Sequence, residues 1–265
     1  MPKRDFPNPS LNLPKEIRDS KDEKTIKTFS AIENHLDMVG KYIFTNINLN
    51  YKEFDPVQNY AWIQRTVSAL VLRSLYLRNA FVDVFNSRNI AGVFLPLKAL
   101  FETVGALALV LDLLEQDLSP EILRERLLPF VLGNKGKGNL RVGSIDVPNV
   151  ITMLEKADKY VTKMQGKSGG DENKKTANTF FTDFYDIPAN LSHPSFDAYD
   201  IVGSLKDEGI WYAEEPDETK RKIISHLPMY GGILMATFFI QNICAKIYEK
   251  GKDGFANVHS EPYFS

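Results

Sequence analysis

The chain has 265 residues, 43% of them hydrophobic and 25% charged, enough to bury a sizeable core without disulfide or metal staples. A formal net charge of -2 gives no long-range attraction for polyanions and argues against nucleic-acid binding by overall charge. The single cysteine, Cys244, excludes an intrachain disulfide. Within the apolar run FFIQNICAKIY it reads as a small hydrophobe in a reducing, cytoplasmic compartment.

Residues 1–19 contain four prolines, lack the apolar core of a signal peptide and are expected to form an extended N-terminal arm. Ser20 and Glu23 stand at capping-box spacing, and apolar residues then recur at Ile26, Phe29, Ile32, Leu36, Val39, Ile43 and Ile47, which predicts an amphipathic helix through Ile47. Asp55-Pro56 opens a second helix of about eight turns, long enough to serve as a bundle spine. A third covers about 90–117, with Pro96 either kinking it or marking its start. Its stretch LPLKALFETVGALALVLDLL has roughly membrane-spanning length, but Lys98, Glu102 and Asp112 make it a core helix, so no membrane is expected.

Ser119-Pro120-Glu121 starts a fourth helix that stops at Gly133, and a glycine-rich connector follows. Pro148 opens a fifth, with Ile151, Leu154, Val161 and Met164 predicted to face inward. Residues 165–178 are almost without apolar side chains and read as a mobile insertion loop. From about 176 a sixth helix carries Phe180, Phe181, Phe184 and Tyr185 towards Pro188 and Pro194, which must distort or end it. Two β-prone runs around SLKDEG predict a small hairpin near 199–213. A last helix runs from about 217 to Gly251, with a break signal in HLPMYGG, and a tail completes 251–265. The expected fold is therefore all-α: one elongated bundle of six to seven helices over 20–250, with one minor hairpin.

Several stretches bear on chemistry. Gly133 and Gly138 have phosphate-loop spacing, but Asn139 and Leu140 stand where lysine and a hydroxyl are needed. The Glu-x-x-His pairs of dimetal bundles, the HExxH motif and spaced cysteines are all missing, so neither a metal nor a cofactor is expected. Lys156, Lys159 and Lys163 share one face of the fifth helix, and residues 131–175 hold 9 Lys+Arg against 5 Asp+Glu. That stripe is a candidate RNA contact, or simply a solvated helix face. Lys98 and Glu102 lie side by side on an otherwise apolar helix, where charges must pair, reach water or face a cavity. The later stretch FYDIPANLSHPS can bring Tyr185, Ser192 and His193 to them. His193 beside a carboxylate is suited to proton transfer; at a proline-terminated helix end it is equally suited to bonding the freed carbonyls. In RKIISH, Arg221 and His226 match the R-x4-H ribonuclease signature of HEPN-type helical proteins, although five residues of helix turn the two about 140° apart.

The third-helix stretch and FYDIPANLSHPS together resemble a broad group of uncharacterised bacterial helical proteins related to the HEPN-type superfamily. The resemblance is carried by Lys98, Leu100, Phe101 and Glu102, then by Tyr185, Leu191, Ser192 and His193. Two departures matter: lysine stands at 98 where that group has arginine, and His193 follows Ser192 without the usual gap. The resemblance covers mainly residues 60–200 and implies an all-α domain, homodimerisation, and a role in prokaryotic antiviral defence or RNA metabolism with RNA or a partner protein. The leading expectation is a binding or interaction module. The alternatives are a metal-independent endoribonuclease using histidine and arginine, and a small-ligand pocket lined by Lys98, Glu102 and Tyr185.

Overall fold

The computed structural model describes residues 6–12, 30, 32–49, 56–87, 89–116, 118–132, 149–164, 179–192, 203–206, 210–213 and 227–264. Helix α1 (His35–Val39) passes through a 3-10 turn at Gly40–Tyr42 into strand β1 (Phe44–Thr45). The helical periodicity through Ile47 is therefore misleading beyond Tyr42. Ile43 is extended, the Phe44 amide donates to Ser68 Oγ at 3.0 Å, and Asn46 takes a left-handed φ of 53°. Tertiary bonds override the local pattern here.

Helix α2 (Pro56–Asn86) starts on a proline whose missing N–H is one the first turn would leave unpaired anyway. It turns Ile63, Val67, Val71, Leu75, Val82 and Phe85 into the core. Helix α3 (Ile90–Glu115) is capped by Asn89, whose side chain accepts the Gly92 N–H at 3.0 Å. Pro96 lies inside it, so the helix begins before the proline and tolerates the lost bond. Helix α4 (Pro120–Leu132) is tied to α2 by Asn59 Nδ2 donating to the Pro120 carbonyl at 2.8 Å. Helix α5 (Val150–Met164) is capped by Asn149, which accepts the Thr152 N–H. Its buried face is Leu154, Ala157, Tyr160 and Val161; Ile151 and Met164, expected inside, are exposed. Ile151 is the second residue of the helix and Met164 its last, so the packing stripe lies between them.

Helix α6 (Phe180–Ser192) runs through Pro188 rather than stopping there. Strands β2 (Gly203–Lys206) and β3 (Ile210–Ala213) form the expected antiparallel hairpin, pairing Gly203 with Ala213 and Lys206 with Ile210. Helix α7 (Leu227–Lys250) leads through Gly251 into α8 (Lys252–Phe255) and strand β4 (Glu261–Pro262). Far from trailing free, this C-terminal stretch pairs β4 with β1 and packs Phe255 edge-on against Tyr60.

The fold is all-α, organised around α3, which α2, α5, α6 and α7 all pack against. From Leu100 to Leu113 every α3 residue is buried except Glu102. A helix apolar on all sides is stable only when enclosed in this way. Gly105 lets α5 approach closely, since a Cβ there would come within 3.0 Å of the Met153 backbone. Phe181 of α6 meets Phe101 and Phe239 edge-on, at 5.8 and 5.0 Å between ring centroids, joining three helices at one aromatic node. Among the described residues two segments, Gly92–Glu115 and Gly231–Lys250, are long and apolar enough to cross a membrane; the first is the enclosed core helix.

The chain before β1 is locked to α2 by buried polar groups. Arg78, 1% exposed, donates to the carbonyls of Ile32 and Glu33 and to Asn79 Oδ1. His35 is fully buried, with Nε2 3.0 Å from Ser74 Oγ. The Ser74 hydroxyl hydrogen goes to the Val71 carbonyl, so Nε2 must donate to it and Nδ1 carries the lone pair. Nδ1 has no partner. Burial, reinforced by the Arg78 charge, lowers the His35 pKa from 6.5 to about 3.

Because the folded state holds His35 neutral while the unfolded chain protonates it near 6.5, this contribution is complete above that pH and lost progressively towards 3. Unfolding free energy is expected to fall by about 1.4 kcal/mol per unit between pH 6 and pH 5, a slope that His35→Gln abolishes. Urea titrations at the two pH values check this; equal slopes in both proteins would refute it.

Candidate functional site

Helix α3 reaches the surface along one stripe. Leu95, Lys98, Ala99 and Glu102 follow each other at three- and four-residue spacing, and none of the four is buried. Glu102 is where this stripe meets its neighbours. Its Oε1 accepts the Tyr185 hydroxyl from α6 at 3.1 Å, and its Oε2 lies 3.4 Å from Arg73 Nη2 of α2. Lys98 Nζ sits 5.9 Å from the centroid of the Tyr185 ring, one turn back along α3. Lys98, Glu102 and Tyr185, distant in sequence, thus share one neighbourhood. Burial, then the Glu102 charge and the hydrogen bond to it, push the Tyr185 phenol up to about 12, so it remains a donor at neutral pH.

Beside Glu102 opens a cleft of about 310 Å³. Its floor is Glu102 and Ala106 of α3; one wall is Arg65, Thr66, Ala69, Leu70 and Arg73 of α2; the other is Val150 and Met153 at the start of α5. The small side chains of Ala69 and Ala106 leave the space open. Thr66 donates its hydroxyl to the Trp62 carbonyl at 2.9 Å, and the Arg65 guanidinium lies 5.4 Å from the Trp62 ring. Arg73 and Glu102 form a long, single-point pair with 44% and 24% of their side chains exposed, a geometry open to exchange. Among the described residues Thr66 is the only hydroxyl in the lining, and none of them brings a thiol or imidazole to it.

Sequence reasoning missed Arg65 and Arg73. Both stand on the second helix among apolar residues, and α2 also carries the buried Arg78, so composition alone does not say which arginine turns outward. The signal that was present is spacing: Arg65 and Arg73 are eight apart, roughly on one side of a helix, whereas Arg78 is five further on.

The other residues singled out from sequence have different surroundings. Ser192 ends α6 and donates to the Ala189 carbonyl at 3.0 Å. His193, Arg221 and His226 lie outside the described residues. Lys156 and Lys159 both reach Asp112 of α3, at 2.9 and 3.2 Å, and Lys163 pairs with Glu115. This lysine face therefore clamps α5 to α3. Burial alone would raise the Asp112 carboxyl, but hydrogen bonds from Lys156, Lys159 and Gln116 outweigh it and hold the group below its ordinary range. Asp158, on the same helix, accepts the N–H groups of Phe181 and Thr182 and the Thr182 hydroxyl, so it caps α6 from a neighbouring helix. Its signal in the sequence was a carboxylate at a position otherwise belonging to the apolar face.

Comparison with protein-family models, with curated proteins and with solved structures returns no match to this chain.

Since Asp112 titrates below its ordinary value when folded, its contribution is present above pH 3.8 and lost as pH falls through the folded value. Asp112→Asn is expected to lower stability by about 1–2 kcal/mol at neutral pH, a difference that narrows below pH 4. Denaturant midpoints across this range check it; a neutral-pH difference near zero would show that the lysines do not clamp the helices.

Proposed function

We propose that this chain is a binding module that seats a small molecule in the cleft between α2, α3 and α5. The reading rests on one observation: at the only unburied position within the enclosed part of α3, Glu102 joins Arg73 and Tyr185 at the edge of a cleft of about 310 Å³. That volume lies at the small end of the range for ligand sites, which pair a mainly apolar lining with a few convergent polar groups. The lining supports binding over catalysis. It offers cations, a carboxylate and hydrocarbon, while its one hydroxyl already donates to backbone.

The site also fits a binding role of the kind implied by the sequence resemblance, in which Lys98, Glu102 and Tyr185 carry part of the shared pattern. Tyr185 holds the Glu102 carboxylate from one side and Arg73 from the other, so the polar edge of the cleft is satisfied within the protein. Lys98 over the Tyr185 ring adds a cation near the same point.

Native mass spectrometry of the purified protein, followed by a thermal-shift screen of small metabolites, tests this reading. The expected result is one ligand per chain that raises the unfolding temperature. Ala69→Phe fills the cleft from an exposed wall position and is expected to abolish that rise while leaving the unliganded protein folded. A ligand bound equally well by Ala69→Phe, or no ligand in either measurement, would overturn the proposal.

A further inference from the structure

Resting on that reading, we propose the class of ligand: a small organic monoanion, a carboxylate on a short apolar body, whose charged end meets Arg65. The charges of the lining come first. Among the described residues it contains two arginines and one carboxylate, and Glu102 answers Arg73. Among the described residues no carboxylate pairs with Arg65, whose guanidinium rests beside the Trp62 ring. The cleft thus carries one cationic charge in excess, which a single anion neutralises. A guanidinium held against an aromatic face keeps its in-plane donors for the two oxygens of a carboxylate.

The shape of the lining supplies the rest. Arg65 and Arg73 are eight residues apart, about 12 Å along α2, so an anion at Arg65 is separated from the Arg73–Glu102 pair by roughly two helical turns. Between them lie Ala69 and Leu70 on one side and Val150 and Met153 on the other. These are hydrocarbon surfaces, suited to a short alkyl or aryl body and offering nothing to a second charge. The start of α5 lies alongside, with Val150 in the lining, and the positive end of its dipole adds to the attraction for an anion. An inorganic anion fills only the Arg65 end and gains nothing from the hydrocarbon. A cation meets uncompensated Arg65.

A charge series on a constant body tests this: hexanoate, hexanol and hexylamine, with acetate and inorganic phosphate as heads lacking the body. The readout is the Met153 methyl resonance in full-length protein labelled at methionine, assigned through Met153→Leu. Hexanoate is expected to shift that resonance and to bind about tenfold more tightly than hexanol, while hexylamine, acetate and phosphate bind more weakly still. Arg65→Gln, a substitution at an exposed position, is expected to bring hexanoate down to the affinity of hexanol and to leave hexanol unchanged. Hexanol or hexylamine binding as tightly as hexanoate would overturn the charge assignment, and phosphate or acetate matching hexanoate would overturn the apolar body. If no member of the series shifts Met153, this inference falls. The binding reading then falls with it only if the wider screen also finds no ligand whose effect Ala69→Phe removes.

Discussion

The enclosure of α3 is the constraint on which this fold turns. Between Leu100 and Leu113 the helix has almost no face that water tolerates, and four other helices must cover it. Burial of that much apolar surface dominates the favourable side of folding. It also dictates where polar groups can sit. Glu102 survives on this helix because the covering is incomplete there, between α2 on one side and α6 on the other, and the cleft beside it is the remaining gap.

The polar groups that are buried serve as joints between elements. Arg78 binds two carbonyls of the segment before α1, His35 binds Ser74, Asp158 caps α6 from α5, and Asp112 gathers two lysines of α5 onto α3. Each joins parts of the chain that hydrophobic contact alone would leave free to slide, because hydrogen bonds have direction and burial does not. A protein built this way has a rigid frame around the cleft. Arg73 and Glu102, by contrast, form a long and partly solvated pair. Rigidity at the frame and exchangeability at the gap are the combination a preorganised binding site requires.

Much of this was legible in the sequence. Proline marked the starts of α2 and α4, and the third helix, read as a core element, is the one that the other helices pack against. The hairpin followed from two β-prone runs about a turn. The placement of Lys98, Glu102 and Tyr185 in one neighbourhood was also readable, because a carboxylate on an apolar helix needs a partner and an aromatic helix with a terminal hydroxyl can provide one. The lysine stripe was legible as a stripe. That it faces the carboxylates of α3 was not, since a repeating pattern says which residues share a face and not what that face meets.

By itself, then, the sequence determined the fold class, the main helices and the need for a polar meeting point at Glu102. These follow from local propensity and from periodicity, which act within a few residues. Only the tertiary structure decided that the first helix yields to β1 at Phe44, that α6 continues past Pro188, and that Arg65 and Arg73 rather than Arg78 line a cleft. All three depend on contacts between distant segments: β4 pairing with β1, Asp158 anchoring the start of α6, and the angle at which α2 lies on α3. Such contacts are set by the packing of whole helices, and no stretch of sequence taken alone contains that information.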